Sequence, residues 1–325
     1  MKRATKITVM TVLFCIAALL LTNLVFAADT WDLATAIQGP QTYAATATIN
    51  GKLYVVGGYN YSVLNTLRVY DPLSGTWDNS KKVMPTARYL ARAAAIDGKL
   101  YVVGGIDGQN HTLNKLEVYD PVQDTWSSTE KQPMIKSRFS PAIGNINGKL
   151  YVAGGGRDNS ENTGVPHDSV EMYDPIQNTW VLLSSTATMS IPLYDSAYGV
   201  IDGKLYVAGG WNGTYATNEV EVFDPVAQTW TTKAPMSTIR QNPAFDVING
   251  QLFVAGGWDR PNNVNLASFE VYNPASNTWA TKISMSYART GAAGGGMNGK
   301  FYVVGGYNNG NLTVNEVFLP NGICY

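Results

Sequence analysis

Cysteine is nearly absent from this chain: Cys15 and Cys324 are the only two in 325 residues. Histidine is as scarce, with His111 and His167 alone. So few cannot build most histidine-based metal sites, and neither a metal nor a cofactor is expected. Charge is sparse too, at 14% of residues and a formal net of −1. Nothing is basic enough for a nucleic-acid footprint. No P-loop, dinucleotide fingerprint or Ser-His-Asp order appears.

Long apolar runs are missing except for one. Lys2, Arg3 and Lys6 precede an uncharged stretch from Ile7 to Ala27 that closes on Val25-Phe26-Ala27. This pattern predicts a signal peptide, residues 1–27, cleaved after Ala27. The alternative is an uncleaved anchor, since the run has 21 residues and could span a bilayer. Asn23 interrupts it and favours cleavage. Cys15 follows bulky Phe14, a poor lipidation context. Processing leaves residues 28–325, with 20 Lys and Arg against 24 Asp and Glu, a net charge of −4. Only Cys324 survives, so no intrachain disulfide can form. A secreted, periplasmic or cell-surface monomer, free of the membrane after cleavage, is expected.

What is abundant is repetition. Gly-Gly follows a hydrophobic strand six times, at 57–58, 104–105, 154–155, 209–210, 256–257 and 305–306, spaced 47, 50, 55, 47 and 49 residues apart. A period near fifty marks one supersecondary unit used repeatedly. Each Gly-Gly is preceded by Asn-Gly or Asp-Gly, ending at Gly51, Gly98, Gly148, Gly203, Gly250 and Gly299. These dipeptides supply the two positive-φ residues of a tight hairpin. The strand after the turn reads Lys-Leu-Tyr-Val-Val or a variant, apolar throughout as a strand buried on both faces must be. A third strand ends in aromatic-Asp-Pro at Tyr70, Tyr119, Tyr173 and Phe223, with Tyr272-Asn273-Pro274 fifth and Phe318-Leu319-Pro320 last. Asp or Asn bonds its own backbone two residues on, and Pro presets the turn. Four residues after each of the first five prolines, Thr-Trp opens a fourth strand at Trp77, Trp126, Trp180, Trp230 and Trp279.

A double Gly, a later aromatic and a Trp in register resemble the kelch motif, over residues 30 to about 319. The resemblance implies an all-β, six-bladed β-propeller of four-stranded kelch blades, at about 41–80, 88–130, 138–185, 193–234, 240–283 and 289–319. Ring closure has its own sign. The sixth copy lacks Thr-Trp, and an orphan Thr30-Trp31 stands near the start. Trp31 lies 20 residues before Gly51, against 20 to 23 for the five internal Trp-to-Gly intervals. Residues 28–40 therefore supply the outer strand of the last blade, covering both exposed edges.

In a meander blade the first and third turns share one edge, here short and uniform. The second turn and the link to the next blade share the other, and variable loops on a rigid scaffold carry binding. Four of the six residues after Gly-Gly are aromatic, namely Tyr59, Trp211, Trp258 and Tyr307. The resemblance implies that they rim the channel mouth, where flat rings suit a sugar face or an extended peptide. The alternative is packing between blades. Asp107, Arg157, Tyr194 and Asp195 join the candidates, and the longest loop runs through Asp158, Glu161, His167 and Asp168. Ten residues before the hairpin Gly stands Arg88, Arg138, Arg240 or Arg289, replaced by Gln41 and Leu193 in the first and fourth copies. The same four blades carry Glu117, Glu171, Glu270 and Glu316; the others have Glu221 or Arg68. Two readings stand: a cationic ring for an anionic ligand, or a repeated structural Arg–Glu pair.

The expectation is an exported, non-catalytic recognition module binding a glycan or protein segment on the loop face. The alternative is a sugar isomerase of the sialic-acid-mutarotase kind, which shares the kelch repeat and for which Asp195 or Asp259 with Arg240 would act. Copper oxidases on kelch-like propellers need a His pair with Tyr and Cys, and here the only mature Cys, Cys324, sits at the chain end.

Overall fold

The computed structural model describes residues 28–127, 131–157 and 166–320. The expected leader, Cys15, Asp158, Glu161 and Cys324 lie outside them. Six four-stranded antiparallel sheets form the blades of a closed ring. In blade 1 the strands are Ala45–Ile49, Lys52–Val56, Leu67–Asp71 and Thr76–Asp78, in that spatial order. The first strand of each blade lies innermost and contacts its counterparts in the neighbouring blades. In blade 6 the outer strand is Thr30–Ala34, antiparallel to Asn315–Leu319 with Trp31 opposite Phe318. The two ends of the repeat array thus share one sheet, and the ring closes as the orphan Trp implied.

Three concentric sets of hydrogen bonds join blade to blade. The outermost is made by the six strand-four tryptophans, whose indole N–H donates to a carbonyl of the preceding link. Trp31 reaches Ile283, Trp77 reaches Thr35, and Trp126, Trp180, Trp230 and Trp279 follow suit, all at 2.8–2.9 Å. Each indole also packs on the third-strand aromatic of its own blade, with centroids 5.0–5.4 Å apart. Trp31 does both, although it comes from the far end of the sequence.

The middle set belongs to the glycine pairs. The second glycine's N–H donates to the link carbonyl of the next blade, as in Gly58 to Arg88 at 2.9 Å and Gly257 to Arg289 at 2.8 Å. The first glycine, at φ between 63° and 67° in all six copies, lies so close that an added Cβ would meet backbone or a methionine within 2.2–2.6 Å. A side chain there would be both strained and obstructed. That is why the dipeptide cannot vary.

The four link arginines serve the same joint. Arg88, Arg138, Arg240 and Arg289 are among the most buried side chains, at 0–1% exposure. Each donates to the carbonyl of the first glycine of its own blade (Gly104, Gly154, Gly256 and Gly305) and to the third-strand glutamate. Burial lowers the pKa of each guanidinium, and the paired glutamate opposes that shift. In blade 1 the polarity is exchanged: Gln41 bonds Gly57 O and receives Arg68. In blade 4, where Leu193 replaces Arg, Ser196 Oγ takes Gly209 O at 2.8 Å. All six first-glycine carbonyls are therefore held by a side chain, whichever residue supplies it. The cationic-ring expectation for the four arginines is corrected here: a charge this buried survives only when paired, and these are paired within the wall.

The innermost set is a backbone iris. Tyr43, Leu90, Ser140, Asp195, Asn242 and Gly291 each donate N–H to the carbonyl of the one before, with Tyr43 receiving from Leu90 and giving to Gly291, at 2.7–3.3 Å. All six have left-handed φ, 46° to 61°. Around the axis, between this iris and the Asn/Asp-Gly turns, the first strands enclose a channel of about 250 Å³.

Candidate functional site

The loop face is organised by one repeated contact. In every blade the residue after Gly-Gly forms a β-bridge with the residue after the link Arg, Gln or Leu. The pairs are Thr42 with Tyr59, Tyr89 with Ile106, Phe139 with Gly156, Tyr194 with Trp211, Gln241 with Trp258, and Thr290 with Tyr307. Each pair contains at least one aromatic. Where the loop side lacks one, the link side supplies it, and Gly156 is glycine because the Phe139 ring occupies its Cβ space. Tyr89 and Phe139 escape a reading of the loop side of the bridge alone. They stand one residue after Arg88 and Arg138, a register visible in the sequence.

The aromatics gather in pairs rather than as one uniform rim. Tyr59 and Tyr89 lie 5.8 Å apart on a cleft of about 980 Å³ between blades 1 and 2, with Tyr43, Tyr61, Asp107 and Lys115 in its walls. Tyr59 and Tyr307 are about two-fifths exposed, and Tyr61 is 81% exposed. Phe139 and Tyr194 meet edge to face at 5.1 Å. Trp211 and Trp258 are half-buried and share a third partner, Arg260. Its guanidinium lies 3.7 Å from the Trp211 centroid and 5.4 Å from that of Trp258. The two indoles are therefore not bare faces.

The remaining candidates divide by depth. Asp107 is half-buried and accepts N–H bonds from Gln109 and His111, both at 2.9 Å. Burial pushes its carboxyl up, but those bonds outweigh it and hold the group below its ordinary range. Asp259 accepts from the Asn262 backbone at 3.2 Å and side chain at 2.8 Å, shaping its own loop. Arg157 is half-buried and reaches Pro166 O at 3.4 Å. His167 is buried with Nε2 on Ser137 O at 3.0 Å, and burial beside the Arg138 charge pushes its imidazole down to about 3. It stays neutral at any physiological pH.

Asp195 lies in the iris at 8% exposure. Burial raises its carboxyl, and the Arg92 charge is the largest influence opposing that rise. Tyr194 beside it is pushed up to about 12, mainly by burial and then by the Asp195 charge. Arg92, also 8% exposed, stands where the other five first strands begin with alanine. Arg92 Nε and Asp195 Oδ1 are buried without a hydrogen-bond partner. The structure thus brings Asp195 toward Arg92 and leaves Arg240 in the wall. The only departure from alanine at that strand position was the available signal for Arg92. Among the described residues no group of three or more His, Cys, Asp or Glu could hold a metal.

A closed six-bladed ring with glycine-pair clasps, strand-four tryptophans and an aromatic-lined loop face defines a kelch-type β-propeller. The family model of the Attractin/LZTR1 β-propeller matches residues 53–317, and the chain belongs to that kelch-repeat propeller family. Among curated proteins it is similar to Kelch-like protein 23 of Homo sapiens, 25% identical over 185 residues, covering 55% of this chain and 31% of that one. It also matches the Kelch repeat and BTB domain-containing protein 1 of Camelpox virus (strain CMS), 36% identical over 84 residues, covering 26% of this chain and 14% of that one. The chain thus spans less than a third of the length of either relative. The solved structure of YjhT superposes with a TM-score of 0.74 at 17% identity, covering 89% of this chain and 97% of that one. A likeness at that identity establishes the fold.

Proposed function

We propose that this chain is an exported, non-catalytic recognition module that binds a glycan, or an extended protein segment, across its loop face. The observation that carries the proposal is the aromatic present at the bridge of every blade, supplied from either side of the contact. Flat, half-exposed rings with Asn, Asp and Arg between them suit a sugar face, which stacks its C–H bonds on the ring and offers hydroxyls to the polar groups. The open cleft of about 980 Å³ is large enough for several sugar units. On a glycan array the wild type gives a defined set of hits, and Tyr59→Ala/Tyr89→Ala and Trp211→Ala/Trp258→Ala each weaken them at least tenfold. Full retention of binding by both double variants, with melting temperatures intact, would sink the aromatic-face proposal. An empty array beside a captured peptide would assign the face to protein segments.

One observation favours a second reading. A buried carboxyl of raised pKa that feels the charge of a buried arginine, Asp195 with Arg92, is an arrangement that moves protons in enzymes. In a sugar isomerase on this fold, Asp195 would exchange the proton and Arg92 would orient the substrate. Proton NMR of freshly dissolved anomers decides between the two. Catalysed anomer exchange that vanishes in Asp195→Asn supports the enzyme, and exchange at the spontaneous rate supports the binding module.

A further inference from the structure

Arg260 is an arginine that the scaffold does not use. It stands on the short hairpin formed by Trp258–Asp259 and Val264–Asn265, the only two-stranded sheet among the described residues. Asn263 N–H bonds the Arg260 carbonyl at 3.2 Å, and Asp259 is engaged by Asn262, so the tip is held by its own polar groups. From there the side chain turns back over blade 4, onto Trp211. One face of the guanidinium is covered at 3.7 Å, and Trp258 flanks it at 5.4 Å. No carboxylate or carbonyl of the described residues forms a hydrogen bond or ion pair with it, although Asp259 is its chain neighbour.

A guanidinium stacked on an indole keeps its charge and its in-plane N–H edge, while its rotation is restrained. That edge is the part that forms paired bonds with a carboxylate. We infer that Trp211, Arg260 and Trp258 form a receptor for the carboxylate of an acidic glycan. The inference rests on the glycan reading above and narrows it to sugars bearing a carboxylate. A uronate-type residue would place its carboxylate on the Arg260 edge and its ring against the exposed part of Trp258 or Trp211. The glycan is preferred over an acidic peptide because three amides beside the stack each keep one atom for a hydroxyl: Asn262 and Asn265 spend Nδ2 on Asp259 and Asn308, and Asn212 spends Oδ1 on Thr214 and Tyr215.

The test uses the processed chain and three matched pairs: tetragalacturonate, a hyaluronan tetrasaccharide and sialyllactose, each against its methyl ester. At low ionic strength the wild type should bind at least one acid tenfold or more tightly than its ester. Arg260→Ala should erase that preference, acid and ester then binding with equal affinity, while the protein stays folded with a melting temperature within a few degrees of wild type. Arg260→Lys should restore only part of it, since an ammonium lacks the planar fork. Equal affinity for acid and ester, or an acid preference that survives Arg260→Ala, overturns the inference and leaves the recognition module standing. Binding of neutral glycans on the array, with none of the acids preferred, overturns it in the same way. Binding of no glycan at all overturns both, and an Arg260-dependent affinity for a poly-glutamate peptide alone overturns the glycan assignment.

Discussion

Arg240 and Arg260 belong to the same blade and work in opposite ways. Arg240 is fully buried, bonded to Gly256 O, Ser268 and Glu270, and joins loop, link and third strand. Arg260 is exposed, with no acceptor among the described residues, and lies on indole. The first occurs in four blades at one register, and the second occurs once. Recurrence marks what every blade must have in order to stand beside its neighbours. Singularity marks what the ring as a whole can use. The same contrast separates the six strand-four tryptophans, each tied to a carbonyl, from Trp211 and Trp258, which carry Arg260.

That contrast can be broken by mutation, beginning with the largest effect. Arg240→Ala leaves Glu270 buried and unpaired, and should cost about 3–5 kcal/mol of stability, measured by urea unfolding. Removing both partners as Arg240→Met/Glu270→Leu should cost less than the single change, because no uncompensated charge remains. A double variant as damaged as Arg240→Ala would mean that the glycine carbonyl, not the glutamate, dominates the arginine's role. Next come Trp31→Ala and Trp230→Ala, which should destabilise equally, each by roughly 3–5 kcal/mol. An unchanged melting temperature for Trp31→Ala would show that the N-terminal strand does not close the ring.

A smaller effect is expected in the channel. Burial pushes the Asp246 carboxyl up to about 6 from an ordinary 3.8, against N–H bonds from Gly296 and Val247. A carboxyl raised on folding favours the native state while protonated, and that contribution is lost as pH rises through about 6. Asp246→Asn should therefore add up to about 3 kcal/mol at pH 8, with the gain vanishing toward pH 4. A gain independent of pH would place the cause in packing rather than charge. Smallest of all, Arg260→Ala should change stability by no more than about 1 kcal/mol, which separates it from Arg240→Ala in the same unfolding assay.

Much of the scaffold was legible because it recurs. Gly-Gly, Asn-Gly and the strand-four Trp each announce a local geometry that one sequence window contains, and Trp31 could be placed by its interval alone. The pairing of Arg with Glu could be read as well, but two meanings remained open. Burial decided between them, and the shared target, the first-glycine carbonyl, is visible only in space. The site was less legible. Tyr89 and Phe139 act from the link, across a bridge whose partner lies 17 residues on in sequence. Arg260 reaches into a neighbouring blade, and the Arg92–Asp195 approach joins blade 2 to blade 4. No periodicity encodes contacts made once between different copies.

The most direct test of the division between scaffold and site is hydrogen–deuterium exchange with and without a glycan selected from the array. Protection is expected in the segments 59–64, 106–112, 211–215, 258–265 and 307–311 on the loop face, with the Asn/Asp-Gly and Asp-Pro turns unchanged. Protection confined to those turns, with the loop segments unaltered, would contradict that division.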